Sequence, residues 1–257
     1  FLEKYLEMEN TYRDLPIYEL QWPSSMIEVP NVELVKTGKS VLDLASDIIG
    51  KYKAGNGRTI LIDGETFTSR EAVFYINNVG EIVKIIRKNG LDPSEVTIIC
   101  SSTPESKKKI SKLGKGYEIS EVPGKDDPLK MFTFCTSTVY VGADFYSDNA
   151  YTYIFSNPNI GCMTLDVSVD LQQIIGRQRL DSNPFRNSAT LYYKTKLSMQ
   201  TEEDLELAIR EKNEKTRRKI ENYDSVPHKS EELEALEKDI KSGGHSSHYC
   251  CIIKDSV

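Results

Sequence analysis

The chain has 257 residues, 39% of them hydrophobic, which supports a folded core for one large domain or a domain with an appendage. Its net charge of −6 excludes a protein that coats nucleic acid or anionic membranes by bulk attraction, so any phosphate site must be local. No apolar run is as long as a membrane span, so we expect no membrane partner. An odd number of cysteines, five, fits a reducing compartment, and we expect a cytoplasmic location or the interior of a nucleoid or host cell.

The predicted elements begin with an irregular linker or strap over residues 1–33, where prolines interrupt the segment LPIYELQWPSS. Ser40 is a predicted N-cap for a helix over VLDLASDIIGKYKAGNG, which stops at glycines. Asn78 is predicted to cap a second helix, over VGEIVKIIRKNG. Runs rich in β-branched and aromatic residues predict strands buried on both faces, namely TILIDG, AVFYINN, EVTIICSS, MFTFCTS, AYTYIFS and ATLYYK.

Alternating strands and helices predict an α/β domain over residues 34–197, with a mostly parallel sheet flanked by helices and right-handed crossovers. Such sheets bind ligands beyond the carboxyl ends of their strands. Residues 198–257 are charged and predict a helical extension with thin apolar stripes. Because the chain opens on Phe1 and ends on a strand-like run, we expect a piece cut from a longer protein, truncated within the extension.

The segment DLQQIIGRQR predicts a helix with Asp170 as its N-cap, running on towards a strand. Its apolar side chains fall on one face, while Gln173 and Arg177 lie four residues apart and share another. Gly176 in the middle of this helix costs about 1 kcal/mol relative to alanine, which indicates that a ligand or another surface approaches closely there. Arginine offers a planar charged fork for phosphate oxygens, so Arg177 is a candidate phosphate ligand.

These residues resemble motif VI of superfamily 2 helicases, Gln-x-x-Gly-Arg-x-x-Arg, whose arginines act as fingers on the terminal phosphates of a nucleotide. The resemblance implies catalytic roles for Gln173, Arg177 and Arg179 and a nucleotide contact for Gly176. Leu180 stands where the usual motif has its last arginine, and the shorter Gln-x-x-Gly-Arg-x-Arg is similar to the form in viral origin-binding helicases of the same superfamily. The spacing leaves open whether Arg179 takes the role of that arginine.

Two further segments resemble motifs of the same family. TSTVYVGAD is similar to motif V, and AVFYINNVGEI is similar to motif IV, a strand that leads into a capped helix whose first amides favour phosphate. Hydroxyls and amides at strand ends suit contacts with a sugar-phosphate backbone, and a carboxylate can accept a hydrogen bond from a ribose hydroxyl. The expected nucleotide contacts are Gly142 and Asp144. The expected nucleic-acid contacts are Asn77, Asn78, Ser101, Ser102, Thr136, Ser137 and Thr138.

Over about residues 70–195 the resemblance implies the second, C-terminal RecA-like lobe of a P-loop NTPase-type helicase or translocase. An N-terminal RecA-like lobe of the same parent chain would hold most of the ATP and Mg²⁺, with single-stranded or duplex nucleic acid as the other partner. We expect the fragment alone to be inactive as an ATPase. No metal site is predicted, because the possible ligands near the end lack the paired spacing of a zinc site: His245, His248, Cys250 and Cys251.

Two other functions remain open. The first is a noncatalytic nucleic-acid-binding or scaffolding module with a degenerate helicase lobe, which Leu180 favours. The second is a nucleotide kinase that uses Gly38, Lys39 and Ser40 as a phosphate-binding loop. Glu33 disfavours the kinase, because it replaces the first glycine of such a loop with a carboxylate. For single residues, Asn78 can be a helix cap alone and Asp144 can simply fix a turn.

Overall fold

The structure, a computed structural model, describes residues 30–140, 142–167 and 169–195, together with the single positions 23, 207, 210, 211, 214, 217 and 218. Contacts between Cα atoms divide the chain into Phe1–Lys196 and Leu197–Val257. In the second unit the described positions are helical. Most of the predicted linker, most of the predicted helical extension, and the histidines and cysteines near the end lie outside the described residues.

The first unit contains a six-stranded sheet in which every neighbouring pair is parallel, in the order β1-β8-β7-β4-β6-β5. The predicted α/β class with a mostly parallel sheet is therefore confirmed. The strands of this sheet are β1 (Asn31–Lys36), β4 (Glu71–Tyr75), β5 (Val96–Ile99), β6 (Phe132–Cys135), β7 (Ala150–Ser156) and β8 (Ser188–Tyr193), while β2 (Thr59–Ile62) and β3 (Glu65–Thr68) form a separate antiparallel pair.

Helices cover both faces of the sheet. They are α1 (Val41–Lys53), α2 (Val79–Lys88), α3 (Pro104–Ile110) and α4 (Asp170–Ile175). Side chains alternate between faces along a strand, so Phe74 and Tyr75 of β4 point to opposite sides. Phe74 belongs to a buried cluster with residues of α1, α2 and α3, and Tyr75 belongs to a second cluster with residues of α4. Within the described ranges, every helix is too short or too polar to cross a lipid bilayer.

The structure corrects the prediction at the start of the sheet. β1 was not predicted as a strand, yet it pairs with β8 at one edge of the sheet and runs across the expected boundary at residue 33. The run TILIDG does form a strand, but β2 lies outside the main sheet, and its Leu61 is 71% exposed rather than buried. Asp63 and Gly64 explain this, because their positive φ angles of 50° and 85° close a tight antiparallel turn.

The structure also shortens the helix predicted to contain Gly176 and Arg177. α4 ends at Ile175, and Asp170 is its first residue rather than its N-cap. The next helical turn is replaced by a short parallel bridge between Phe145 and Gln178. In it, the backbone N–H of Phe145 donates to the carbonyl of Arg177 (2.8 Å) and that of Arg179 donates to the carbonyl of Phe145 (2.9 Å). These tertiary hydrogen bonds hold the chain extended just where the sequence pattern continues the helix.

Candidate functional site

The carboxyl ends of β5, β6 and β4 are neighbours in the sheet and carry a row of polar residues. The backbone N–H of Ser137, after β6, donates to Oδ1 of Asn77, after β4, over 3.0 Å. The hydroxyls of Thr138, after β6, and Ser101, after β5, lie 3.0 Å apart. We call Asn77, Ser101, Thr136, Ser137 and Thr138 the carboxyl-end rim. The fold thus brings together residues that the resemblance implied from three separate strand ends.

The hydroxyls of the rim differ in exposure. Thr136 is only 6% exposed, and its Oγ1 lies 3.1 Å from Oγ1 of Thr138. Ser101, Ser137 and Thr138 are exposed. Thr138 therefore lies at the centre of a hydroxyl chain from Ser101 to Thr136, and Ser101 and Thr138 are its solvent-exposed members.

The two asparagines after β4 are occupied by internal hydrogen bonds. Asn78 caps α2 as predicted, since its Oδ1 accepts from the N–H groups of Gly80 (2.9 Å) and Glu81 (3.2 Å). Nδ2 of Asn77 donates to the carbonyl of Cys162 over 2.6 Å, and its Oδ1 accepts from the backbone N–H of Ser137. These side chains fix the loops that follow β4, β6 and β7 relative to one another.

A second group joins the segments that resemble motifs V and VI, and we call Asp144, Gln173, Arg177 and Arg179 the arginine cluster. Oδ1 of Asp144 accepts from Nε of Arg179 over 2.8 Å and lies 3.6 Å from Nη1 of Arg177. Arg177 also donates from Nε to the backbone carbonyl of Gln173 (2.7 Å) and from Nη2 to its side-chain Oε1 (3.1 Å). One carboxylate thus bridges two guanidinium groups, and the predicted proximity of Gln173 and Arg177 is present.

The arginines of the cluster differ in access to solvent. Arg177 is only 9% exposed, rather than directed outward as the helical pattern predicted, whereas the side chain of Arg179 is 47% exposed. Because Gln178 pairs with Phe145, the side chain of Arg177 is buried beside the preceding segment, and its Nη1 also donates to the carbonyl of Ala143 over 3.3 Å. Arg179 is therefore the more accessible guanidinium in this conformation.

The two glycines near the cluster differ in whether the backbone conformation requires glycine. Gly142 has a φ of +80°, a conformation that side chains rarely adopt, so a backbone requirement explains it. Gly176 is exposed, and a Cβ there would lie 3.8 Å from the nearest carbonyl oxygen, which is ordinary contact. Among the residues that the structure describes, nothing requires glycine at position 176, so close approach by a ligand or second surface stays a prediction.

Two buried polar groups near the cluster carry no sequence signal. Burial raises the pKa of the Tyr75 phenol well above its usual range, and the positive charge of Arg177 opposes this shift. In the described part of the chain, the Tyr75 hydroxyl and both amide atoms of Gln178 have no hydrogen-bond partner. Tyr75 looks from its sequence context like any strand residue, and Gln178 looks like a surface residue between two arginines.

The segment that resembles a phosphate-binding loop has ordinary structural contacts. β1 ends at Lys36 and α1 begins at Val41, so only four residues separate strand from helix. Nζ of Lys39 lies 2.9 Å from Oδ2 of Asp47, and Ser40 is the N-cap of α1, as predicted. This short connection lacks the run of free backbone amides that cradles phosphates in such loops.

Within the ranges that the structure describes, no group of three or more histidine, cysteine, aspartate or glutamate side chains is arranged to hold a metal ion. Comparison of the chain with protein-family models, with curated proteins and with solved structures finds no match.

Proposed function

We propose that this chain is the second RecA-like lobe of an ATP-dependent superfamily 2 helicase or translocase. The observation that carries the proposal is the contact between the segments that resemble motifs V and VI. Asp144 and Arg179 are 35 residues apart in sequence, yet their side chains pair over 2.8 Å, and Arg177 joins them. A parallel sheet covered by helices on both faces is the architecture that a RecA-like lobe requires.

In the proposed cycle, a separate nucleotide-binding lobe holds ATP and Mg²⁺, and this chain supplies positive charge to the terminal phosphates. Arg179 is exposed enough to reach a ligand directly. Arg177 must exchange its hydrogen bonds with Gln173 and its ion pair with Asp144 for phosphate oxygens when the lobes close. Guanidinium groups placed at developing phosphate charge lower the barrier to hydrolysis. Closure and opening would then move the carboxyl-end rim along a bound strand.

One observation favours a noncatalytic nucleic-acid-binding or scaffolding module instead. All three guanidinium nitrogens of Arg177 have partners inside this chain, and the residue is only 9% exposed. An arginine held in this way can be a structural element that joins two loops. The rim would then bind nucleic acid without coupling to ATP.

ATP turnover separates the two functions. In a protein that contains this chain and the nucleotide-binding lobe, Arg177→Ala is expected to reduce turnover by on the order of 10³-fold, as for other arginine fingers. Arg179→Ala is expected to be equally severe if Arg179 takes the role of the arginine absent at position 180. Arg70→Ala, at an exposed arginine before β4, is the control and should leave turnover unchanged. Normal turnover in Arg177→Ala would favour the noncatalytic module.

A further inference from the structure

Five exposed lysines form a concentrated basic surface beside the rim. They lie on α3, on the single 3-10 turn that follows it (Ser111–Leu113), and just after Gly114. We call Lys107, Lys108, Lys109, Lys112 and Lys115 the lysine surface. The chain as a whole has a net charge of −6, so this cluster runs against its average composition. The sequence ESKKKISKLGK carries the signal, but the helicase motifs did not include it.

The lysine surface is unpaired, unlike lysines of the neighbouring helices. Lys53 of α1 pairs with Glu95 over 3.2 Å, and Lys88 of α2 pairs with Asp43 over 2.8 Å. Among the ion pairs of the described residues, none involves a lysine of the lysine surface. Like charges three or four residues apart on a helix repel one another. A bound polyanion would therefore reduce the electrostatic repulsion among these lysines.

The backbone of the segment that carries these lysines is held by packing and hydrogen bonds to the rest of the domain. Ile110 of α3 is buried, and Nη2 of Arg87 donates to the carbonyl of Lys112 over 3.0 Å. Thr103 caps α3 by accepting a hydrogen bond from the N–H of Ser106. The lysine side chains therefore project from a fixed backbone.

A cavity of about 550 Å³ lies between α3 and residues 117–121. Ser102, which directly follows Ser101 of the rim, contributes to its lining, as do Lys107 and Ser111 on the α3 side. Glu118 and Glu121 line it from the segment whose Ser120 donates to Ile98 of β5. Their carboxylates disfavour phosphates on that side, which leaves the α3 wall as the path for an anionic chain.

We propose that the lysine surface is a second nucleic-acid contact of this chain, which binds backbone phosphates of the strand that passes from the rim over Ser101 and Ser102. This inference rests on the proposed function, because the rim supplies the first part of the strand path. The rim offers neutral hydroxyls, whereas the lysine surface offers charge. Binding at the lysine surface must therefore depend on salt, and binding at the rim must not.

The experiment measures binding of labelled single-stranded oligothymidylate to the 257-residue chain by fluorescence anisotropy over a range of salt concentrations. Each neutralised phosphate contributes about 0.7 to the salt slope for single strands, so Lys108→Gln with Lys112→Gln should lower the slope by about 1.4 and weaken binding roughly tenfold at about 0.1 M salt. Lys36→Gln with Lys51→Gln makes the same change in charge at exposed lysines of β1 and α1 and should leave the slope unchanged.

Several outcomes would overturn the inference: no binding by the wild-type chain at low salt, equal losses in both double variants, or no loss in either. Polyglutamate that competes as well as oligothymidylate would assign the surface to an acidic protein partner instead. Loss of affinity in Thr138→Val without any effect of the lysine changes would retain the rim and reject the lysine surface. The reverse pattern would retain the lysine surface and count against the proposed function at the rim. Thermal unfolding of each variant checks that the fold is intact.

Discussion

Asp144 is the residue on which the arginine cluster depends. Its Oδ1 lies within 2.8 Å of Arg179 and 3.6 Å of Arg177, so one carboxylate compensates two guanidinium groups. The two interactions differ in burial, because Arg177 is mostly enclosed and Arg179 is half in water. Charged hydrogen bonds are strong where water is excluded and weak where it competes. The same residue type therefore has two roles, with Arg177 contributing mainly to the fold unless a ligand replaces its partners.

The difference predicts unequal effects on stability. Arg177→Ala is expected to lower the free energy of unfolding by about 1.5–3 kcal/mol, because it leaves the carbonyl of Ala143 without a donor in a buried position. Arg179→Ala removes one exposed ion pair and should cost less than about 1 kcal/mol. Urea denaturation of the 257-residue chain measures both. Equal and small effects would mean that Arg177 is not held as the distances indicate.

At the scale of elements, the strand ends that form the rim could be predicted from the sequence. β4, β5 and β6 are short apolar runs that each stop at polar residues, and in a parallel sheet such ends meet at one edge. Which ends are adjacent could not be predicted, because the pairing of β6 between β4 and β5 depends on contacts distant in sequence. The contact of Asn77 with Ser137 follows from that pairing.

Other elements escaped prediction for identifiable reasons. β1 reads NVELVK, in which the adjacent Leu34 and Val35 break the alternation typical of an edge strand, and it precedes a Gly-Lys-Ser sequence that suggests a loop. β2 has the composition of a core strand, but the Asp-Gly turn that follows it favours a hairpin, in which β2 pairs with β3. α4 ends early because Gln178 pairs with Phe145, a partner that helical periodicity cannot reveal. Local patterns predicted the type of most strands and helices but missed β1 and α3, and tertiary pairing set the ends of the others.

The rim predicts a binding effect that does not depend on charge. Thr138→Val keeps the shape of the side chain but removes the hydroxyl that lies 3.0 Å from Ser101 and 3.1 Å from Thr136. Single-strand affinity is expected to fall about 2- to 10-fold, the effect of one hydrogen bond, with the salt slope unchanged. Anisotropy measures both quantities. Thr59→Val is the matched control, because Thr59 is an exposed hairpin residue whose hydroxyl lies 3.3 Å from that of Thr68. Equal losses in both variants would refute the assignment of the rim.

At the scale of the whole molecule, the lysine surface and the lysine of the Gly-Lys-Ser segment lie in different parts of the fold. The lysine surface adjoins the rim, whereas the lysine of the Gly-Lys-Ser segment is neutralised by Asp47 at 2.9 Å. β1, which precedes that segment, lies at one edge of the sheet, and β5, which precedes α3, lies at the other. Among the ion pairs of the described residues, Lys39 therefore has a partner, whereas the lysines of the lysine surface, where nucleic acid is expected, have none.

This arrangement predicts that the 257-residue chain alone does not hydrolyse ATP. In the proposed cycle, the lysine and the acidic residue that organise phosphates and Mg²⁺ belong to the partner lobe. Lys39 cannot replace that lysine without breaking its pair with Asp47, and four residues between β1 and α1 cannot form the amide cradle that phosphates require.

A coupled ATPase assay with and without oligothymidylate measures the rate, and Lys39→Ala is the diagnostic variant. Turnover by the chain that Lys39→Ala abolishes would establish the kinase-like use of Gly38, Lys39 and Ser40 and reject the two-lobe mechanism. Turnover that Lys39→Ala leaves unchanged would also contradict the prediction, but without assigning the activity to Gly38, Lys39 and Ser40.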